Sequence, residues 1–187
     1  MALTTLDPIT ALIIIDLQKG IISLPGIQAI DDLIGRARAL ADAFREAGLP
    51  VVLVNVAGAA PGRTEQPRQA TSLPEDWSDL IPELNQQPSD IVVTKRTWGA
   101  FASTDLDALL KARNVTQVVI AGVATGVGVE STARQAYEQG FNVTLAIDAM
   151  ADMRPEVHDF SIRHVFPRLG ETGTSQDIIN LLPAKSV

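Results

Sequence analysis

Two charged side chains in this sequence each follow directly on a run of mostly β-branched residues. Asp16 follows Ala-Leu-Ile-Ile-Ile, and Lys95 follows Ile-Val-Val-Thr. A further apolar run leads into the glycine-bearing segment 122–128 and then straight into a predicted helix. A helix that begins there points its free N–H groups over the end of the strand, which favours an anion or a developing negative charge.

Asp16 needs a partner, because a carboxylate next to five apolar residues is costly to bury alone. Lys95 is the obvious candidate. If their strands are one strand apart, the strand axes lie about 9–10 Å from each other, a gap that a lysine side chain helps to close. Taken separately, Asp16 also suits a cap on neighbouring backbone N–H groups, and Lys95 suits a solvated charge. Their convergence with segment 122–128 on one edge of a sheet is what indicates a site.

Strands and helices alternate along the chain and must position these residues. Apolar runs predict strands at residues 11–15, 51–54, 91–94, 118–121 and 143–147. Helical spacing predicts helices at residues 27–47, 131–140, 155–165 and 175–182. Gly48 is a predicted C-cap and Thr174 a predicted N-cap, while Thr104 and Asp107 resemble a capping box that opens a short helix ending near Arg113. Residues 57–88 are predicted to form a long loop with one helical turn.

This alternation predicts an α/β protein, a three-layer α/β/α sandwich around a mostly parallel, doubly wound sheet. Residues 1–187 are predicted to form a single domain, because no repeat, low-complexity tract or linker divides them. In such a sheet ligands bind outside the carboxyl ends of the strands. Asp16, Lys95 and segment 122–128 all fall there, as do Asn55 and Asp148.

Composition excludes several classes of function. The net charge of −7 argues against nucleic-acid and anionic-membrane partners. The absence of cysteine excludes disulfides, thiolate metal sites and cysteine catalysis. The two histidines, His158 and His164, are six residues apart in a predicted helical region, so neither a metal nor another cofactor is expected. The N-terminus lacks the basic region of a signal peptide, and the location expected from the sequence is cytoplasmic.

A nucleotide-binding module is a distant alternative. Gly126-Val127-Gly128 with Ser131 is close to the G-x-G-x-x-G fingerprint, and Asp148 stands where a ribose-binding acid belongs. Ser131 replaces the third glycine, however, and the glycine pair begins well after the strand rather than in the tight turn.

Three segments resemble the motifs of the isochorismatase-like hydrolases, a superfamily that includes isochorismatases, nicotinamidases and other cysteine amidohydrolases. They are residues 11–18, residues 95–101 with 104–106, and residues 122–125 with 129–134. The resemblance extends over essentially the whole chain. It implies a homo-oligomer, a dimer or higher, and an Asp–Lys–Cys site in which Asp16 and Lys95 fill the first two places. It also implies a cis peptide bond at Val123–Ala124.

The third place falls on Gly128, so amide hydrolysis through a cysteine acyl-enzyme is not available. Isochorismatases proper also resemble this chain in having glycine there, and they hydrolyse a vinyl ether: an aspartic acid protonates the enol ether carbon, water adds and pyruvate leaves. By that resemblance Asp16 is the general acid, and Lys95 orients it or binds a substrate carboxylate. Such an acid must hold a proton near neutral pH, which requires burial to outweigh the pull of Lys95.

Further residues are predicted to contact a small-molecule substrate. They are Gln18, Arg63, Trp98, Phe101, Ala124, Thr125, Gly126 and Val127. Gln18 would position water or substrate, and Arg63 would bind a carboxylate bidentately unless it is a solvated loop residue. Trp98 and Phe101 would form an apolar wall, or pack as ordinary core residues.

Two functions therefore stand ahead of nucleotide binding. The favoured one is a hydrolase acting on a small carboxylated substrate without a cysteine nucleophile. The other is a catalytically inactive, ligand-binding homologue of a cysteine amidohydrolase. The turn at residues 124–127 resembles the cysteine-hydrolase branch more closely, so isochorismate itself is not assigned as the substrate.

Overall fold

Six parallel strands form one sheet in the computed structural model, which describes residues 3–26, 30–65 and 73–183. The strands are β1 (Thr10–Ile15), β2 (Val51–Val56), β3 (Ile91–Lys95), β4 (Gln117–Val123), β5 (Asn142–Ala151) and β6 (Glu171–Gly173). Their order across the sheet is β3-β2-β1-β4-β5-β6. The helices are α1 (Lys19–Ile22), α2 (Ile30–Glu46), α3 (Leu106–Lys111), α4 (Glu130–Glu138), α5 (Pro155–Phe160) and α6 (Ser175–Leu181).

Both faces of the sheet are buried at β1 and β4, which explains why these two central strands are apolar along most of their length. On one face Ile13 and Ile15 pack with side chains of α3 and α4. On the other face Leu12 and Ile14 pack with α2 and α6. The predicted α/β class with a mostly parallel sheet and helices on both faces is thereby confirmed.

The chain reverses its direction of travel across the sheet between β1 and β4. It moves outward from β1 through β2 to β3, then returns to place β4 on the other side of β1. The carboxyl ends of β1 and β4 flank the resulting crevice, where ligands bind in sheets of this type. Asp16 follows β1, a turn follows β4, and Lys95 ends β3 with only β2 between it and β1.

Several element boundaries differ from the predicted ones. β5 continues to Ala151 rather than ending at residue 147, and its register with β4 shifts between Ile120 and Gly122. β6 was not predicted, because three residues carry no periodic signal. The helix predicted for 155–165 is α5 followed by a π-helical turn at Ser161–Val165. α2 begins at Ile30, and residues 27–29 lie outside the described ranges.

The predicted caps have mixed outcomes. Thr174 caps α6 in a reciprocal pair with Asp177, and Gly48 after α2 has a φ of +71°. The capping box predicted at Thr104 and Asp107 is wrong: the Thr104 hydroxyl accepts from the N–H of Leu106, and Asp107 pairs with Lys111.

The long loop after β2 contains one 3₁₀ turn at Pro82–Leu84, in keeping with the prediction, and residues 66–72 lie outside the described ranges. In the part of the chain that the structure describes, the helices are too short or too polar to cross a bilayer.

Candidate active site

Asp16 stands at the carboxyl end of β1 with its carboxylate almost completely buried. Its backbone N–H donates to Val54 O on β2 at 2.9 Å, and its φ of 54° lies in the left-handed region. Few residues other than glycine adopt that conformation, although Asp and Asn tolerate it better than most. Oδ2 accepts a hydrogen bond from Lys95 Nζ at 2.7 Å. Oδ1 is buried without a hydrogen-bond partner among the described residues.

Lys95 is the last residue of β3 and is only 1% exposed. Besides the Asp16 carboxylate, its ammonium group contacts the carbonyl oxygen of Trp98 at 2.8 Å. A buried ammonium is tolerated where charged and polar acceptors surround it. The lysine side chain thus spans β2, as the strand spacing predicts, and joins β1 to the loop that follows β3.

The Asp16 carboxyl has a strongly perturbed pKa. Burial disfavours the ionised form and is the dominant effect, while the charge and the hydrogen bond of Lys95 act in the opposite direction. The net result raises the pKa of Asp16 from 3.8 to about 6. Burial therefore outweighs the lysine, which the sequence alone did not decide, and the group is suited to proton transfer near neutral pH.

Gly128 faces Asp16 from the turn that follows β4. A Cβ on Gly128 would lie 2.9 Å from Ile15 Cγ2, 3.1 Å from Asp16 Oδ2 and 3.2 Å from the carbonyl oxygen of Val123. Position 128 is therefore the third corner of a site with Asp16 and Lys95. The space beside the carboxylate is small enough that any side chain here would press on Asp16.

The turn itself is a π-helical segment, Thr125–Val129, that runs directly into α4. The preceding peptide bond, Val123–Ala124, is cis, as the family resemblance implies. The carbonyl oxygen of Ala124 accepts from the N–H groups of Val127 and Val129, at 3.1 and 3.2 Å. π-helical segments inside helices occur frequently at functional sites.

Thr132 connects the turn to the loop that carries Lys95. Its hydroxyl donates to Gly128 O at 2.7 Å and accepts from the N–H of Ala100 at 3.1 Å. One helical turn further along α4, Gln135 accepts from the N–H of Phe101 at 3.0 Å. Two sequence motifs, joined here by contacts between residues 32 and 34 apart, thus form one hydrogen-bonded unit around the Asp16–Lys95 pair.

The predicted substrate contacts are placed less uniformly. The Gln18 side chain is fully buried and bound to backbone: Oε1 accepts from Val56 N, and Nε2 donates to the carbonyl oxygens of Val56 and Trp77. Phe101 is a core residue that packs on Phe141, with the two rings tilted by 34° and their centroids 5.9 Å apart. The amide group of Gln18 thus joins the end of β2 to Trp77 in the loop that follows it. Of the two predicted alternatives for Phe101, the structure shows the core position.

Trp98 and Arg63 lie at the surface. Trp98 is 64% exposed, and its backbone carbonyl rather than its ring contacts Lys95. Arg63 is exposed in the loop after β2.

Thr125 and Gly126 have partners that sequence reasoning missed. The Thr125 hydroxyl lies 2.8 Å from His158 Nδ1, and the N–H of Gly126 donates to Asp152 Oδ2 at 2.8 Å. Asp152 follows the carboxyl end of β5, so its position is the same type of signal that identified Asp16. It was missed because β5 was predicted too short. His158 was considered as a metal ligand, and nothing in the sequence indicated its contact with Thr125.

The acid considered for nucleotide binding is engaged within the fold. Asp148 lies inside β5, and its carboxylate accepts from Ser175 N at 2.6 Å and Ser175 Oγ at 2.8 Å, so it holds the start of α6. Within the described ranges, no three or more His, Cys, Asp or Glu side chains cluster in a way that would hold a metal ion.

Comparisons with known proteins agree on one family. A family model of the isochorismatase domain matches residues 10–177. The chain is 40% identical over 177 residues to YwoC, an isochorismatase family protein of Bacillus subtilis, covering 91% of this chain and 92% of that protein. It is 32% identical over 178 residues to the ureidoacrylate amidohydrolase RutB of Stutzerimonas stutzeri, covering 79% and 71%. A solved structure of an isochorismatase family protein from Burkholderia thailandensis superposes with a TM-score of 0.90 at 41% identity, covering 95% and 97%.

Proposed function

This chain belongs to the isochorismatase family of hydrolases, and we propose that it hydrolyses a small carboxylated enol ether by acid catalysis without a covalent nucleophile. The observation that carries the proposal is the environment of Asp16. Its carboxyl is buried beside Lys95, faces Gly128 rather than a nucleophile, and has a pKa of about 6. A general acid is most effective when its pKa lies near the working pH.

In the proposed reaction Asp16 donates its proton to the methylene carbon of an enol-pyruvyl ether. The C=C π electrons form the new C–H bond, and the adjacent carbon becomes an oxocarbenium ion stabilised by the ether oxygen. Water adds to that carbon and returns a proton to the Asp16 carboxylate. The resulting hemiketal breaks its C–O bond, releasing pyruvate and an alcohol. No bond to the protein forms, which is consistent with a chain that has no cysteine.

Lys95 orients the acid in this proposal. Two of the three N–H donors of its ammonium group are directed to Asp16 Oδ2 and to Trp98 O. Oδ1 of Asp16 has no partner in the described part of the chain, so we assign to it the proton that is transferred. As the carboxylate ionises during the reaction, the nearby ammonium stabilises the developing charge.

Amide hydrolysis is the competing function, and the similarity to a ureidoacrylate amidohydrolase favours it. Without a cysteine, Asp16 would have to act there as a base that activates water. The two functions need opposite forms of the same carboxyl: acid catalysis requires it protonated, and base catalysis requires it ionised. Their rates should therefore respond to pH in opposite directions around pH 6.

The test is to incubate the purified protein with isochorismate and with simpler enol-pyruvyl ethers, and to measure pyruvate release. Ureidoacrylate, with ammonia release as the readout, is assayed in parallel. We expect pyruvate from at least one ether, and its loss in Asp16→Asn but not in Asp159→Asn, an exposed aspartate on α5.

The absence of pyruvate from every ether, even at stoichiometric protein, would refute the proposal. Ammonia release from ureidoacrylate would then indicate the amidohydrolase. Binding of these carboxylates without turnover of any would indicate the inactive homologue.

A further inference from the structure

The turn Thr125–Val129 is held on two sides by different parts of the chain. Gly128 lies against Asp16, whereas residues 152–161 contact the turn through other groups. This second set of contacts involves no residue of the Asp16–Lys95 pair. It acts on the backbone that determines where Gly128 stands relative to the carboxylate.

Asp152 makes the first of these contacts. The side chain follows β5 and is 7% exposed. Oδ2 accepts from the N–H of Gly126 at 2.8 Å, and Oδ1 accepts from the N–H of Arg154 at 3.1 Å. Because the carboxylate is anchored to its own loop, it holds Gly126 at a defined distance from the end of β5. Hydrogen bonds from N–H groups to a carboxylate are among the stronger ones in proteins.

His158 on α5 makes the second contact, through Nδ1 to the fully buried hydroxyl of Thr125 at 2.8 Å. Its neighbour Val157 lies directly on Gly126, where an added Cβ would overlap its side chain. Further along the same segment, Ser161 Oγ donates to Glu130 Oε2 at 2.7 Å. Residues 125, 126 and 130 are thus each held by this one segment.

A cavity of about 200 Å³ adjoins these contacts, lined by Met150, Ala151, Asp152, Pro155 and His158. Asp152 and His158 are therefore not enclosed by packing on every side. Their positions depend correspondingly more on the hydrogen bonds to Gly126 and Thr125.

We infer that Asp152 and His158 are positioning residues, which hold Gly128 against Asp16 and so determine how effectively Asp16 transfers its proton. This inference rests on the proposed function in taking Asp16 as the acid. Neither residue touches the reacting atoms. A catalytic group displaced by about 1 Å can lose about 100-fold in rate, so contacts that fix its surroundings affect turnover directly.

The first experiment measures kcat and KM for enol-pyruvyl ether hydrolysis in His158→Ala and Asp152→Ala. We expect kcat to fall about tenfold or more, with KM changed less than about threefold, because the contacts bear on the catalytic geometry. Thr125→Val should lower kcat as much as His158→Ala does, because both remove the same hydrogen bond. The double variant Thr125→Val/His158→Ala should then be no slower than either single variant. His158→Asn and Asp152→Asn keep a polar atom near the lost contact and should recover part of kcat. The matched controls are His164→Ala and Asp159→Ala, exposed neighbours that should leave kcat unchanged.

The second experiment is independent of turnover. Hydrogen–deuterium exchange of the peptide covering residues 122–131 should lose protection in His158→Ala and Asp152→Ala and keep it in the controls. If the wild-type protein releases no pyruvate, the proposed function fails, but exchange still decides whether these side chains hold the turn. The inference would be overturned if both the exchange and kcat were unchanged in His158→Ala and Asp152→Ala. An equal loss of protection or of kcat in the control variants would overturn it as well. If the alanine variants do not fold, Thr125→Val, which removes the hydrogen bond to His158 from the other side, supplies the comparison.

Discussion

Asp16 and Lys95 share a single short contact, 2.7 Å from Oδ2 to Nζ, while Oδ1 of the same carboxylate has no partner among the described residues. Leaving a buried oxygen unsatisfied costs about 1–3 kcal/mol. Such an atom in a native site is expected to meet a group from outside the chain. The pair is thus half of an arrangement that a substrate or a water molecule would complete.

The rate of enol ether hydrolysis should depend on the fraction of Asp16 that is protonated. With its pKa at about 6, the carboxyl is mostly protonated below that pH and mostly ionised above it. We expect kcat/KM to be constant at low pH and to fall about tenfold per pH unit above the pKa of Asp16. A pH–rate profile measures this directly. A rate that rises through the same range would instead indicate that Asp16 acts as a base.

Asp16 should also make the protein less stable as the pH rises. Its pKa increases from 3.8 to about 6 on folding, so between these values the folded protein holds a proton that the unfolded chain has lost. The stabilisation that this proton gives the folded state is fully present below about pH 4 and is lost as the pH passes about 6. It amounts to about 3 kcal/mol. Denaturant unfolding of the wild type and Asp16→Asn from pH 4 to 7 isolates this effect. A free-energy difference between them that does not change with pH would contradict it.

Replacing Lys95 with methionine should shift the pH profile upward and lower the maximum rate. The lysine holds the pKa of Asp16 down against the effect of burial, so without it the pKa rises further. Loss of orientation should reduce kcat by about 100-fold, and the broken pair should cost about 3 kcal/mol of unfolding free energy. Lys111→Met is the control, because its half-exposed pair with Asp107 is worth about 1 kcal/mol or less. An alkaline limit that stays in place would show that Lys95 does not act on Asp16.

Gly128→Ala should destabilise the protein and lower its rate of pyruvate release, because the new Cβ would press on Ile15 and on the Asp16 carboxylate. Overpacking of this kind costs about 1–3 kcal/mol. Gly35→Ala in α2 is the matched control: nothing lies within 4 Å of its Cβ, and it should gain about 0.5–1 kcal/mol. Thermal unfolding and pyruvate release compare the two variants.

Gly128→Cys adds the same Cβ together with a thiol. We expect it to gain ammonia release from ureidoacrylate, which Gly128→Ala should not, if Asp16 and Lys95 can serve a cysteine mechanism. Equal ammonia release by both variants would rule out a role for the thiol.

The sequence predicts most of this fold because the central strands are buried on both faces. Continuous apolar runs therefore mark β1, β2 and β4 clearly, and the edge strand β3 carries a similar run although alternate side chains are exposed. The limits of β5 were less predictable, since Asp148 interrupts its apolar run although its carboxylate is satisfied by α6. β6 depends on pairing with β5 rather than on a pattern of its own.

The Asp16–Lys95 contact was predictable because a carboxylate at the end of a buried strand requires a counter-charge, and strand order limits the choice. The sequence did not predict which aromatic residue is buried, since Phe101 packs on Phe141, 40 residues away. The same applies to the Thr125–His158 contact, which joins residues 33 apart through one hydrogen bond and leaves no periodic trace in the sequence.

The left-handed backbone at Asp16, with its φ of 54°, affects how any mutational survey of this position must be designed. Alanine tolerates that conformation poorly, so Asp16→Ala would combine loss of the acid with new strain in the main chain. Asparagine keeps the shape and the local hydrogen bonding that suit a left-handed residue while removing the titratable proton. A scan with alanine alone would therefore overstate the chemical importance of Asp16. The difference in unfolding free energy and in rate between Asp16→Ala and Asp16→Asn measures how much of the effect comes from the backbone conformation.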